Sequence, residues 1–89
     1  MGRSKYFLTM TPGARRCLRR LKPSIAAAIV MFMEADLLAE PLRVGKPLRR
    51  ELDGMYSARR GVYRIIYEVV DGEIRVLRID HRADIYRLR

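Results

Sequence analysis

Apolar residues recur at helical spacing through the first half of this chain and at alternate positions through the second half. Residues 5–10, KYFLTM, precede both patterns and read as a short first strand closed by Thr11 and Pro12. Thr11 suits a helix N-cap, because its side-chain oxygen accepts from an N–H of the first turn. Pro12 suits the first helical position, where no N–H is needed. Ala14, Cys17, Leu18 and Leu21 then fall at i, i+3, i+4 and i+7, one face of a first helix whose other face carries Arg15, Arg16, Arg19 and Arg20. Lys22 and Pro23 end it. Ser24 reads as the cap of a longer second helix with an apolar stripe of Ile25, Ala28, Ile29, Phe32, Met33 and Leu37. Two such helices form a hairpin with one apolar side, which calls for a flat partner.

After Glu40 and Pro41 the helical period disappears, and RVGKPLRREL leads through Asp53 and Gly54 into MYSARR, VYRIIYEVV and EIRVLRID. These segments predict consecutive antiparallel strands joined by tight turns. The expected architecture is α+β, in the order β-α-α-β-β-β, with the N-terminal strand and helical hairpin packed on one face of a small antiparallel sheet. The last hairpin allows two registers. A two-residue Asp71-Gly72 turn sets Ile65 opposite Arg78 and Tyr63 opposite Asp80, among the core residues. A three-residue loop, Val70-Asp71-Gly72 with Gly72 left-handed, pairs Ile65 with Leu77 and Tyr63 with Ile79, and is preferred for that reason. Side chains alternate along a strand, so Arg64 and Arg78 then emerge together on the face that no remaining helix covers.

Charge sharpens this picture. At 89 residues, read as one domain over 1–89, the chain buries one modest core, yet it carries Lys+Arg 19 against Asp+Glu 10, a formal net charge of +9. Such a body is drawn to polyanions: nucleic acid, a ribosome, an acidic protein or an anionic membrane, with plain solubility as the alternative use of the charge. The one cysteine, Cys17, has no internal disulfide partner and falls at an apolar helix position, which fits a structural thiol in a reducing compartment. No stretch approaches the run of roughly 20 apolar residues that spans a bilayer. Residues 1–10 lack a signal-peptide core, so a cytoplasmic protein without a membrane partner is expected.

A sheet face bearing Arg64 and Arg78, with Arg82 beyond the strand end and Arg59 and Lys46 on neighbouring segments, suits phosphodiesters; Arg49 and Arg60 add to the RNA-binding set. Tyr56 and Tyr86 are candidates for base stacking. The alternative is a solvated strand face partly neutralised by Glu68 and Asp80. Ser-His-Asp arrangements, HxxxH or CxxC metal spacings and glycine-rich phosphate loops are all missing, so neither a metal nor a cofactor is expected. RNA needs neither, because its 2′-hydroxyl can attack the adjacent phosphorus. Cleavage then requires cations for the charge growing on the phosphorane, which the arginines supply, and proton carriers, for which Lys46, His81, Tyr86 and Glu51 are the candidates.

In order along the chain, GKPLRREL, DG, MYSARRGVYRIIYEV and RIDHRADIYR resemble the RelE/ParE superfamily of toxin–antitoxin toxins, on its RelE side. The resemblance covers almost the whole chain. It implies a ribosome-dependent endoribonuclease that enters the A site, cuts mRNA there by 2′-hydroxyl attack, and is neutralised by a cognate antitoxin, monomeric when free and hetero-oligomeric when bound. Arg64 matches the family's phosphate-stabilising arginine, Arg82 the second arginine near the last strand, and Tyr86 the C-terminal tyrosine that stacks or deprotonates at the cut nucleotide. Arg59 matches a basic residue of the preceding strand. Ser57 and Arg59 stand where some relatives carry a pair of lysines, and an arginine stays charged instead of accepting a proton. The stripe Arg15, Arg16, Arg19, Arg20 is a candidate dock for an acidic antitoxin segment, with a solvated helix face as the equal alternative. Gyrase-poisoning toxins of the same fold, and a basic nucleic-acid-binding module without catalysis, are the alternatives.

Overall fold

In a computed structural model, which describes residues 5–49 and 54–81, β1 (Phe7–Met10) leads into α1 (Pro12–Arg19), and α2 (Pro23–Phe32) continues through a π-helical turn at Met33–Leu37. A one-turn α3 (Pro41–Val44) and a two-residue β2 (Lys46–Pro47) precede β3 (Met55–Arg60), β4 (Tyr63–Val70) and β5 (Glu73–His81). Thr11 caps α1 as expected, its Oγ1 accepting the Ala14 N–H at 3.1 Å. Ser24 does not cap α2: Lys22 holds the cap position and Pro23, with its helix-compatible φ, opens the helix two residues earlier. Pro41 likewise opens α3 where the helical period was expected to stop.

The strands form one sheet in the order β1-β5-β4-β3-β2. Pairings from β2 to β5 are antiparallel, but β1 lies parallel to β5, with Leu8 beside Ile74 and Met10 beside Val76, so the expected antiparallel sheet is mixed. A tight turn forces two strands antiparallel; β1 reaches β5 only through the whole intervening chain, so nothing local imposes that direction.

The β4–β5 hairpin corrects the expected register. Asp71 (φ 51) and Gly72 (φ 83) are both left-handed and make a two-residue turn flanked by Val70 and Glu73. The two-residue turn alone would put charges among the core residues. A bulge prevents it: Ile66 pairs with Arg78 and Tyr67 with Val76, leaving Leu77 as the extra residue. Ile65 therefore meets Ile79, and Tyr63 meets His81. The Thr11 hydroxyl, already accepting from Ala14, donates to the Leu77 carbonyl at 3.1 Å and ties the bulge to the start of α1.

One sheet face meets the helices. Ile29, Met33 and Leu37 from α2 and its π-turn, and Ala14 from α1, join Ala58, Ile65, Tyr67, Ile74, Val76 and Ile79 in one buried cluster. Burying an aliphatic side chain of this size stabilises the fold by roughly 1.5–3 kcal/mol. Tyr67 is fully buried within this cluster and donates its hydroxyl to the Pro41 carbonyl at 2.5 Å, fastening α3 to the sheet.

Candidate nucleic-acid interface

Strand alternation sends a second set of residues to the opposite face. The register lays them out in rows. Arg59 on β3 is directly opposite Arg64 on β4, which is opposite Asp80 on β5. In the next row Lys46, Ser57, Ile66 and Arg78 follow one another from β2 to β5. Beyond that come Met55, Glu68, Arg75 and Thr9. Like charges directly opposite each other destabilise a sheet, so the Arg59–Arg64 pair opposes the stability of the free protein.

The two ends of this face differ in charge. At one end Arg75 lies between Glu68 at 3.3 Å and Glu73 at 3.2 Å, while Thr9 donates to Glu73 at 2.6 Å. The Thr9 hydrogen bond, then that of Arg75, holds the Glu73 carboxyl below the usual carboxylate range, and Glu73 in turn raises the Arg75 guanidinium. This end is neutralised internally. At the other end Lys46, Arg59, Arg64 and Arg78 have one acid in their rows among the described residues, Asp80, which meets Arg78 at 2.6 Å. Ser57 sits among them, 9% exposed, and its Oγ has no hydrogen-bond partner among the described residues. A buried hydroxyl without a partner costs about 1–3 kcal/mol, which a ligand oxygen would recover.

Lys46 is placed from behind. Gly45, immediately before it, is buried against the Tyr67 phenol, and a Cβ there would overlap the hydroxyl. Burial first, then the neighbouring Tyr56, pushes the Tyr67 hydroxyl up to about 12, against a hydrogen bond from the Gly45 backbone that lowers it.

Of the residues expected at an RNA face, Lys46, Arg59, Arg64 and Arg78 are brought together, and Arg49 follows β2 as an exposed residue. Three others are on the helix side, which corrects their expected place. Tyr56 pairs with Tyr67 and stacks on it, ring centroids 5.6 Å apart, so one face of this half-buried ring is spent inside the protein. Arg60 pairs with Tyr63 and lines a groove with Ala28, Met31, Phe32 and Asp36 of the α2 side. His81 also pairs with Tyr63, edge to face at 5.5 Å, and borders a groove with Cys17, Arg20 and Leu21. Strand parity explains all three, since each is an odd number of residues from the arginine it was grouped with. Arg82, Tyr86 and Glu51 lie outside the described residues. The Arg78–Asp80 pair and the unpartnered Ser57 were not anticipated; the i, i+2 spacing of opposite charges in RID is the one sign of the former.

A helical hairpin on one side of a small mixed sheet and an arginine-rich, strand-borne face on the other define a compact basic toxin, and the family described as ParE toxin of type II toxin-antitoxin system, parDE, matches residues 8–86. The chain belongs to the RelE/ParE superfamily of type II toxins, as a member of the RelE family. It is 57% identical over 84 residues to Toxin RelG of Mycobacterium tuberculosis, covering 92% of this chain and 97% of that protein. To Toxin RelE of the same organism it is 47% identical over 85 residues, covering 93% and 88%. Its fold matches a chain of the toxin–antitoxin complex RelBE2 from M. tuberculosis with a TM-score of 0.83 and 54% identity, covering 86% of this chain and 98% of that one.

Proposed function

We propose that this protein is the toxin of a toxin–antitoxin pair and arrests translation by cutting mRNA in the ribosomal A site, through attack of a 2′-hydroxyl on its own phosphate. The observation that carries this reading is the cross-strand pair Arg59–Arg64, flanked by Lys46 and Arg78 on the face away from the helices. Four strand-borne cations at one end of a sheet stabilise a phosphodiester, and stabilise it more as charge develops on the phosphorane oxygens. In this scheme Arg64 and Arg82 hold the phosphate, Arg59, Lys46 and Arg78 hold the flanking backbone, and Tyr86 stacks on the cut nucleotide or handles its proton; the roles of Arg82 and Tyr86 come from the sequence resemblance. Among the described cations of this face, Lys46 is the one able to exchange a proton, since an arginine remains charged.

A RelB-type antitoxin is the proposed partner, because the solved relatives include toxin–antitoxin complexes. The cytoplasm is the proposed compartment. No helix among the described residues is long and apolar enough to cross a membrane. Translating a defined mRNA with the purified toxin and mapping the new 5′ ends tests the scheme: discrete cuts at A-site codons support it. A gyrase inhibitor of the same superfamily is the second reading, favoured by the match to the ParE description. Cleaved DNA accumulating with gyrase, and intact mRNA, would replace the first reading with the second.

A further inference from the structure

Asp80 is out of keeping with its surroundings. Its side chain is 15% exposed, it is directly opposite Arg64 on the neighbouring strand, and its Oδ2 lies 2.6 Å from Arg78 Nη2. Its other oxygen is 3.9 Å from the Cys17 thiol of α1, a weak donor. A carboxylate at the basic end of the face works against the pull of that face on a polyanion. The other end shows what neutralisation looks like: there Arg75 is held by two glutamates. Asp80 instead leaves the local charge positive and acts on geometry. An unheld arginine samples many rotamers, whereas one ion-paired to a mostly buried carboxylate is restricted to those that keep its charge beside it, although the pair lacks hydrogen-bond geometry at Oδ2. Donors ordered in advance stabilise developing charge without having to reorganise during the reaction.

We propose that Asp80 is a positioning residue: it holds the Arg78 guanidinium in one orientation, so that Arg78 meets the RNA backbone beside the phosphate gripped by Arg64, at the expense of affinity for the polyanion. The inference rests on the mRNA-cleaving function proposed above. Single-turnover cleavage on programmed ribosomes, with ribosome affinity measured in parallel, separates rate from binding. Asp80→Asn should lower the saturating rate by about tenfold or more, as expected for a misplaced group, while ribosomes bind as tightly or tighter. Asp80→Glu, which keeps the charge, should retain most of the rate. An unchanged saturating rate in Asp80→Asn, or equal losses of rate and affinity, would overturn the proposal. Should Asp80→Asn prove unfolded by its melting curve, Arg78→Gln at a side chain 46% exposed carries the test, and a full saturating rate there overturns it. One readout needs no cleavage: in the free toxin the Arg78 guanidinium NMR signal should be ordered in the wild type and mobile in Asp80→Asn. Equal order in both refutes positioning, whereas a wild type that cuts no mRNA refutes the function alone.

Discussion

The Tyr67 hydroxyl fills the space where a side chain on Gly45 would begin, so a core phenol on β4 sets the path of the backbone that delivers Lys46 to the opposite face. Gly45→Ala should therefore destabilise the free toxin by about 1–3 kcal/mol, the usual cost of overpacking. Removing the hydroxyl should relieve part of that, so the double variant Gly45→Ala/Tyr67→Phe should melt above Gly45→Ala alone. Thermal unfolding of the four proteins checks it; strictly additive losses would show that the two residues do not meet.

Thr11 does two things at once, accepting from the Ala14 N–H and donating to the Leu77 carbonyl. Thr11→Val keeps the volume and loses both, and should cost about 1–2 kcal/mol, at the upper end for an N-cap. Thr11→Ser keeps both bonds and should stay within a few tenths of wild type. Chemical denaturation measures the difference.

How far these contacts could be foreseen follows from how local their causes are. The Thr11 cap and the apolar face of α1 are written in neighbouring residues and read correctly. The Leu77 bulge is not: a three-residue loop and a two-residue turn with a bulge both keep Ile65 against an apolar partner and bring Arg64 and Arg78 to one face, and the hydroxyl bonded to the observed bulge belongs to Thr11, 66 residues away. The parallel β1–β5 pairing and the Tyr67–Pro41 bond are likewise long-range. Tyr56, Arg60 and His81 were assigned by chemistry, and parity sends them to the helix side.

Arg64→Ala should leave the protein folded and antitoxin-binding yet lower single-turnover cleavage by about two to three powers of ten, the scale of losing one oxyanion donor. Arg82→Ala is expected to behave alike. Ribosome affinity should change little, because Lys46, Arg59 and Arg78 remain. Equal losses of rate and affinity would reduce Arg64 to an anchor for RNA.

Acid and alkali should act at different places. The Glu73 carboxyl has its folded pKa below the ordinary 4.5, so its contribution to stability is present above pH 4.5 and is lost as pH falls through the lowered value. Glu73→Gln should flatten that acid limb. Tyr67, raised from 10.0 to about 12, contributes fully below pH 10 and loses its contribution as pH rises toward 12. Tyr67→Phe should flatten the alkaline limb and leave the acid limb alone. Unfolding free energies across pH separate the two.

Reversing Arg15, Arg16, Arg19 and Arg20 to glutamate tests the exposed stripe on α1. If an acidic antitoxin segment docks there, calorimetry should show affinity falling by at least tenfold, since each buried like-charge contact adds a penalty. Full affinity in the reversed protein would assign the antitoxin to another surface.

The parallel seating of β1 on β5 has a bearing on how the molecule is made. A ribosome releases β1 first, and its Leu8 and Met10 have no strand to lie on until Ile74 and Val76 have been synthesised. Arg78 and Asp80 emerge later still, on the same late strand. A chain stalled before β5 therefore carries a bare apolar edge and only part of the basic face, which makes it a target for aggregation or proteolysis. Native stability therefore arrives in the closing steps of translation, so interrupted synthesis of this protein leaves an unfinished sheet for the cell to clear.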